Sequence, residues 1–287
     1  MTLRQAITAA AAQLANDEHL RATASRDAEL LLLHTLQISR VTLLTHPGRE
    51  LSAEQQALFR ASIHRRLQHE PIQYITGEQE FYGLLLDVTP AVLIPRPETE
   101  HLVEAVLVRL SKDIALQIAD IGTGSGAIAI ALAIHLPKAE ITALDLSPEA
   151  LAVAAANARR HSVANRVHII QSDLLSAMNQ NSSQIFDAII SNPPYIPDFD
   201  RATLHPQVRD HEPATALFAG PDGLDLYRRL IPQAYAALKP NGLLALEIGH
   251  GQREAIAALL ESWQEVSFVD DLQRFPRVVL ARKSATH

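Results

Sequence analysis

The sequence predicts an α/β protein with a mainly parallel sheet covered by helices on both faces, preceded by a small helical bundle. From Ala115 onward, short apolar runs rich in β-branched residues alternate with helical segments, an alternation that requires crossover connections and therefore parallel strands. Before about residue 70, amphipathic helical segments follow one another with no strand between them. We therefore expect a helical bundle over 1–70, a linker with a short hairpin over 71–97, and a sheet domain over 98–287.

The first 70 residues are predicted to form three helices. An alanine-rich segment, 2–15, gives the first, and leucines at helical spacing in 26–37 give the second. Ser52 and Gln55 form a capping-box pattern that opens a third helix ending near residue 69. The basic face of this third helix is interpreted as solvated surface, with a docking patch for a partner as the alternative; it consists of Arg60, Arg65 and Arg66.

The linker contains two signals. Gly83 separates two apolar segments, 80–82 and 84–88, which suggests a short hairpin between the two domains. The stretch Ile94-Pro95-Arg96-Pro97-Glu98-Thr99-Glu100 then forms a stiff turn into a helix over 98–110, because a proline followed by an acid favours a helix start.

The alternating region predicts seven strands and four further helices. The strands are Leu116–Ile121, Ile141–Asp145, Val167–Asp173, Ile185–Asn192, Leu243–Ile248, Val266–Asp270 and Arg277–Ala281. The helices are Ala127–His135, Pro148–His161, Leu224–Leu238 and Gln252–Ser262. The last two strands are joined closely enough to add an antiparallel edge. The long segment 197–223 lacks periodicity, which favours a lid or a partner-contact loop.

Asn192-Pro193-Pro194-Tyr195 is the strongest candidate site, because it stands at the carboxyl end of a predicted buried strand. Two prolines stop both helix and ladder pairing, so the chain is stiff where it leaves the sheet. The Asn192 side-chain oxygen and the Pro193 carbonyl could accept both hydrogens of a planar –NH2 group, and Tyr195 offers it a flat face. A strand followed by a Pro-Pro turn capped by the asparagine is the structural alternative.

The predicted donor pocket begins at Asp120-Ile121-Gly122-Thr123-Gly124-Ser125-Gly126, between the first strand and first helix of the sheet. Such glycines let a ligand approach the backbone, and the helix start offers free N–H groups. Asp145, which closes the second strand, is placed to accept two ribose hydroxyls, with a helix N-cap as its alternative role. These features also suit a dinucleotide. The Asn192 oxygen and the Pro193 carbonyl, called the amide clamp below, lie beside this pocket and favour a methyl donor over a dinucleotide. Asp173, at the end of the third strand, is expected to lie near the adenine edge of that donor or, alternatively, to cap a helix.

The amino-acid composition argues against several classes of protein and of site. The net charge of −7, from 25 basic and 32 acidic residues, argues against broad attachment to nucleic acid. The absence of cysteine excludes disulfides, thiolate metal sites and cysteine nucleophiles. No apolar stretch approaches the length of a membrane span. We expect a cytoplasmic monomer without a metal ion, without membrane attachment and without direct contact to nucleic acid.

The chain resembles the HemK family of methyltransferases, which modify the glutamine of the Gly-Gly-Gln motif in peptide chain release factors. The similarity spans nearly the whole chain. It rests on the helical N-terminal domain, Gln73-Tyr74-Ile75 with Gly77, Glu80-Phe81-Tyr82-Gly83, Ile94 to Glu100, the glycine loop, Ser191 to Tyr195, and Arg277-Val278-Val279. The resemblance implies a Rossmann-like class I methyltransferase sheet.

By the same resemblance, S-adenosylmethionine binds at the glycine loop and Asp145, Thr99 helps to cover its methionine end, and Asn192 to Tyr195 hold the substrate glutamine. Leu174 departs from relatives that carry an aromatic residue there to stack on adenine, and we expect weaker donor affinity from it. Three other activities stay open: amino-methylation of adenine in nucleic acid, methylation of a ribosomal-protein glutamine, and nicotinamide-dependent redox chemistry. A non-catalytic scaffold is a fourth alternative.

Overall fold

The computed structural model describes residues 1–178 and 185–285 of the 287-residue chain. The chain divides into two compact units. The helical unit comprises Met1–Glu78 together with Thr203–His211, and the sheet unit comprises Gln79–Ala202 together with Glu212–His287. Part of the long segment that follows the Asn-Pro-Pro-Tyr motif therefore belongs to the helical unit.

The helical unit confirms the predicted helices and adds shorter ones. Its helices are α1 (Leu3–Leu14), α2 (Ala24–Leu36), α3 (Arg40–Thr45), α4 (Ala53–Leu67), α5 (Ile72–Thr76) and, from the returning segment, α9 (Pro206–Arg209). The capping box that opens α4 is present, with the Ser52 side chain on the backbone of Gln55 and the Gln55 side chain on the backbone of Ser52. Helices α3 and α5 were not predicted because six and five residues are too short to show a helical period.

The basic face proposed for α4 is corrected by the structure. Arg66 is buried, 4% exposed, and its Nε lies 2.8 Å from Oδ2 of Asp27 on α2, which is equally buried. Arg65 pairs with Glu70. Arg66 is therefore neither solvated surface nor part of a docking patch, and it joins two helices of the core instead.

The sheet unit contains the predicted alternation of strands and helices. After the strands β1 (Glu78–Phe81) and β2 (Leu84–Asp87) come α6 (Glu100–Arg109), β3 (Gln117–Ile121), α7 (Ala127–His135), β4 (Glu140–Asp145), α8 (Pro148–Arg160), β5 (Val167–Gln171) and β6 (Phe186–Ser191). Then follow α10 (Asp225–Ala237), β7 (Leu238–Glu247), α11 (Arg253–Leu259), β8 (Gln264–Asp270) and β9 (Pro276–Arg282). Strands β1 and β2 form the predicted hairpin, with Tyr82 and Gly83 both at positive φ in its turn.

The seven-stranded sheet has the order β5-β4-β3-β6-β7-β9-β8. Strands β3 to β7 pair in parallel, whereas β9 pairs antiparallel with both β7 and β8, as predicted for the C-terminal edge. The chain runs outward from β3 to β5 on one side and from β6 to β7 on the other. Its topological switch point therefore lies between β3 and β6, where ligands bind in open α/β sheets.

Apolar side chains cover both faces of this sheet. Alternate strand residues point to opposite faces, so that Ile190 joins one core cluster and Ile189 the other. The first cluster includes residues of α6 and α7, and the second includes residues of α10 and α11. No helix within the described residues combines the length and apolar character that crossing a membrane requires.

Candidate active site

The parallel strands bring the predicted site residues to one edge of the sheet. The glycine loop follows Ile121 of β3, and Ile121 pairs with Ser191, the last residue of β6. The Ser191 hydroxyl donates to the Ile121 carbonyl over 2.7 Å, which joins these two strand ends. Asn192 therefore leaves the sheet directly beside the glycine loop. The strand itself ends one residue earlier than predicted.

The glycine loop has the conformation that a close ligand requires. Gly124 has a φ of +55°, and a Cβ built on it would meet no atom within 4 Å, so its backbone faces open space. Gly126 serves packing instead, because a Cβ there would lie 3.2 Å from the Cβ of Ala154 on α8. The Thr123 hydroxyl donates to Asp120 over 2.6 Å, and the Ser125 carbonyl accepts from Asn157 over 2.9 Å.

Asp145 holds the turn around this loop. Its Oδ2 accepts from the Gly124 N–H over 2.8 Å and its Oδ1 from the Ser147 N–H over 3.0 Å. The alternative role as an N-cap of α8 is wrong, because the Ser147 hydroxyl caps that helix through the Ala150 N–H.

A cavity of about 560 Å³ lies at this edge of the sheet. That volume is in the usual range for small-molecule sites, roughly 300–1,000 Å³. Eight predicted site residues line it: Gly122, Gly124, Asp145, Asp173, Leu174, Asn192, Pro193 and Pro194. The other predicted ones, Thr99, Thr123, Ser125, Gly126 and Tyr195, are not in its lining. Any contact of these five with donor or substrate stays a prediction.

The cavity is also lined by two segments that were not among the predicted site residues. Part of the long loop contributes Pro213, Thr215, Ala216 and Phe218, and the segment before the Ile94–Glu100 turn contributes Ala91, Val92 and Leu93. Glu212 ties the two segments together, since its carboxylate pairs with Arg96 and accepts from the Ile94 N–H. The lid role of the loop stays a prediction.

The adenine side of the cavity differs from expectation in one detail. Strand β5 ends at Gln171, so Asp173 lies two residues beyond it, and its Oδ2 is 2.6 Å from an Nη of Arg229. The Asp173 carboxylate is half-exposed and is already paired with the Arg229 guanidinium. Leu174, at a φ of +51°, lines the cavity and packs against the second core cluster.

The clamp residues are firmly held. The Asn192 Nδ2 donates to Thr99 Oγ1 over 3.1 Å, and Thr99 is 5% exposed. The Tyr195 carbonyl accepts from Gln252 Nε2 over 3.0 Å. Burial raises the pKa of the Tyr195 hydroxyl to about 12, and the charge of Glu247 adds to that shift.

Two buried carboxyl groups at the same edge were not singled out as site residues. Burial raises the pKa of Asp120 to about 7, although hydrogen bonds from Thr123 and Ala129 oppose the shift. Burial also raises the pKa of Glu247 to about 7, against hydrogen bonds from the Thr99 and Tyr195 hydroxyls. The available signal in the sequence was an acid at or near the end of an otherwise apolar strand. Buried acids in such positions have shifted pKa values, and groups with shifted pKa values often lie at functional sites.

Replacing Asp145 with alanine is expected to weaken donor binding by roughly 10–100-fold in Kd, because hydrogen bonds to charged groups contribute about 1.5–3 kcal/mol. The loss of affinity would have two causes: the carboxylate that accepts from the donor is missing, and the Gly124 N–H loses the acceptor that holds the turn. Calorimetric titration with S-adenosylmethionine measures it. Glu140→Gln, an acid at the opposite end of the same strand, is the control; equal donor affinity in both variants would contradict the assignment.

This chain is similar to known protein families and to solved structures. The family model described as PrmC N-terminal domain matches residues 5–77, and the one described as methyltransferase small domain matches residues 99–205. The solved catalytic domain of hMettl16, in complex with MAT2A 3'UTR hairpin 6, aligns with a TM-score of 0.56 at 17% identity, covering 84% of this chain and 86% of that one. At that identity the likeness supports the fold alone.

Two curated relatives are much more similar. Release factor glutamine methyltransferase of Koribacter versatilis is 45% identical over 287 residues, 99% of each chain. The protein of the same name from Moorella thermoacetica is 47% identical over 259 residues, 90% of this chain and 89% of its own. Such identity over both units confirms the resemblance seen in the sequence motifs. The chain belongs to the family of release factor glutamine methyltransferases, which are S-adenosylmethionine-dependent enzymes.

Proposed function

We propose that this chain methylates the side-chain amide nitrogen of the glutamine in the Gly-Gly-Gln motif of peptide chain release factors. The observation that carries the proposal is the placement of Asn192 and the glycine loop on one cavity at the switch point. The family supplies the substrate class, since the relatives that match nearly the whole chain carry that activity in their name.

The residues on the cavity fit the methyl donor. Gly122 and Gly124 present backbone to open space, Asp145 offers carboxylate oxygens for ribose hydroxyls, and Leu174 offers an apolar surface for adenine. The donor supplies a methyl group on a positively charged sulfur. The Asp173 carboxylate forms an ion pair with Arg229. Asp173 can therefore accept from the adenine amine only if it bonds to both groups or if the ion pair opens.

The Asn192 side-chain oxygen and the Pro193 carbonyl would accept the two hydrogens of the substrate amide and orient its nitrogen lone pair. The amide nitrogen would then take the methyl group as the carbon–sulfur bond breaks with its electron pair left on sulfur, and one nitrogen proton would pass to water. Rate enhancement comes mainly from positioning and from dipoles that are oriented in advance. The reaction needs no strong base, because the methylated and protonated amide is very acidic.

Amino-methylation of adenine in nucleic acid is the competing activity, since the same clamp could hold an exocyclic amine. The net charge of −7 argues against it, because phosphate contacts dominate binding to nucleic acid. We propose instead that the chain acts as a cytoplasmic monomer on a protein partner, without direct contact to nucleic acid.

Incubation of a release factor with this protein and S-adenosylmethionine, followed by mass spectrometry of the Gly-Gly-Gln peptide, tests the proposal. We expect a single added methyl group on that glutamine and none on a release factor whose glutamine is changed to alanine. A DNA or RNA duplex serves as the competing substrate. Methyl transfer to nucleic acid with an unmodified release factor would refute the proposal.

A further inference from the structure

Glu247 is the last residue of β7, the strand next to β6, and its burial is unusual for an acid. The residue is 1% exposed, and Oε2 is among the described buried side-chain atoms that lack a hydrogen-bond partner. Native proteins rarely keep an unsatisfied buried carboxylate oxygen, because it forfeits hydration without compensation. Neither the proposed donor contacts nor the proposed contacts to the substrate amide involve this group. Because this burial lowers stability, we expect the Glu247 carboxyl to have a functional role through its contacts.

The neighbours of Glu247 connect it to the clamp. Leu246 of β7 pairs with Ser191 of β6, so Glu247 and Asn192 are the next residues on two adjacent strands. Thr99 Oγ1 accepts from Asn192 Nδ2 over 3.1 Å, and hydrogen bonding from the same Thr99 hydroxyl lowers the pKa of the Glu247 carboxyl, against the effect of burial. A carboxylate only accepts hydrogen bonds, so the Thr99 proton must point to Glu247. The Thr99 oxygen can then act only as an acceptor toward Asn192. This requires the NH2 side of the Asn192 amide to face Thr99.

The consequence concerns the other end of the amide. Among the residues that the structure describes, the bond to Thr99 is the sole hydrogen bond of the Asn192 side chain. With its NH2 group held there, Oδ1 is left to accept from a ligand in the cavity that Asn192 lines. The opposite orientation would present an NH2 group to the substrate NH2, and two donors cannot bond to each other.

We propose that Glu247 is a positioning residue that acts through Thr99 to fix the Asn192 amide with its oxygen toward the substrate. This inference rests on the proposed function, since it assumes that Asn192 holds the glutamine amide. It adds a chain of three side chains from three separate parts of the sheet unit. Glu247 itself does not touch the reacting atoms.

The charge of Glu247 decides the direction of this chain. A protonated Glu247 could donate to Thr99, and the Thr99 hydroxyl would then donate toward Asn192 and favour the reversed amide. Several groups face the carboxyl: Glu98 and Thr99 before α6, the Tyr195 hydroxyl, and Arg277 on β9. The Tyr227 hydroxyl of α10 donates to the Glu247 backbone carbonyl. Because burial places the pKa of the carboxyl at about 7, ionisation occurs near neutral pH.

The first test compares kcat against pH for the wild type and Glu247→Gln, at saturating donor and release factor. In the wild type we expect kcat to rise about tenfold per pH unit below 7 and to level off above it. In Glu247→Gln we expect kcat at pH 8 to fall about tenfold or more, with that inflection gone and donor Kd little changed. Glu265→Gln, an exposed acid on β8, is the matched control.

Stability separates this effect from simple unfolding. The folded pKa of about 7 lies above the ordinary 4.5, so ionisation opposes folding, and the contribution of Glu247 to stability falls as pH rises from about 4.5 to 7. Glu247→Gln is therefore expected to melt at or above the wild-type temperature at pH 8. Lost turnover without lost stability would mark a positioning residue.

A second pair of variants tests Thr99 without touching Glu247. Thr99→Val removes the hydroxyl and is expected to lose more turnover than Thr99→Ser, which keeps it. Wild-type kcat in Glu247→Gln or Thr99→Val, or an unshifted pH inflection in a slow Glu247→Gln, would overturn the positioning role. If the wild type itself left the release factor unmethylated, the proposed function would fail instead, and the two failures are distinct.

Discussion

Asn192→Ala is expected to lower turnover on a release factor by on the order of 10²-fold or more, the usual loss when one oriented group at the reacting centre is removed. The variant loses the oxygen that would accept from the substrate amide and also the bond to Thr99. Donor binding should survive, because the glycine loop and Asp145 form the other part of the cavity. Single-turnover methylation and donor titration measure the two effects separately.

Asn165→Ala is the matched control for this change. Asn165 lies exposed in the turn before β5, away from the residues that line the cavity. Its loss should leave both turnover and donor affinity unaltered. If Asn192→Ala methylated the release factor at the wild-type rate, the clamp would be wrong, although membership of the methyltransferase family would still stand.

Eight predicted site residues line one cavity because the features that bring them together depend on local chemistry. Two consecutive prolines stop strand pairing wherever they occur, and here they end β6. Glycines at positive φ form the turn after β3. Parallel strands then carry both features to the same edge without further information. Strand boundaries were off by one or two residues at Asp173 and Asn192, since the pairing that ends a strand is set by its neighbours.

Features that depend on distant pairing were not predictable in the same way. Glu247 comes close to Asn192 and Arg277 only because β7 pairs with both β6 and β9. Its position at the end of an apolar strand was the available signal, but Asp145 also ends its strand, so that signal alone does not single out Glu247. The segment Thr203–His211 likewise joins the helical unit through contacts with residues far away in the chain.

Arg66 shows the same limit most clearly. Its neighbours along α4 predicted an exposed basic face, but the structure buries it against Asp27, which is 39 residues away in the chain. The Asp27 carboxylate also accepts from the Thr23 hydroxyl over 2.9 Å, and Arg66 also donates to the Glu70 carbonyl over 3.0 Å. The charged groups are therefore desolvated but well bonded. Such a pair is costly to break from one side.

Asp27→Ala is accordingly expected to destabilise the helical unit by about 3–5 kcal/mol, because it leaves the Arg66 guanidinium buried without its counter-charge. The measurement is native-state hydrogen exchange of peptides from α2 and α4 in the full chain, since a two-unit protein need not unfold in one step. Arg40→Ala is the control, because Arg40 pairs with Glu29 at an exposed site and such pairs contribute about 1 kcal/mol or less.

A combined replacement shows whether charge burial is the cause. Changing Asp27 and Arg66 together to leucine and methionine removes both charges at once, and we expect it to recover most of the lost stability, because apolar residues of similar size often replace a buried ion pair at little cost. Recovery would mean that the pair fixes the packing of α2 on α4 more than it stabilises the unit. If Asp27→Ala instead cost no more than Arg40→Ala, the pair would be too well hydrated to count as buried, and the corrected position of Arg66 would be wrong.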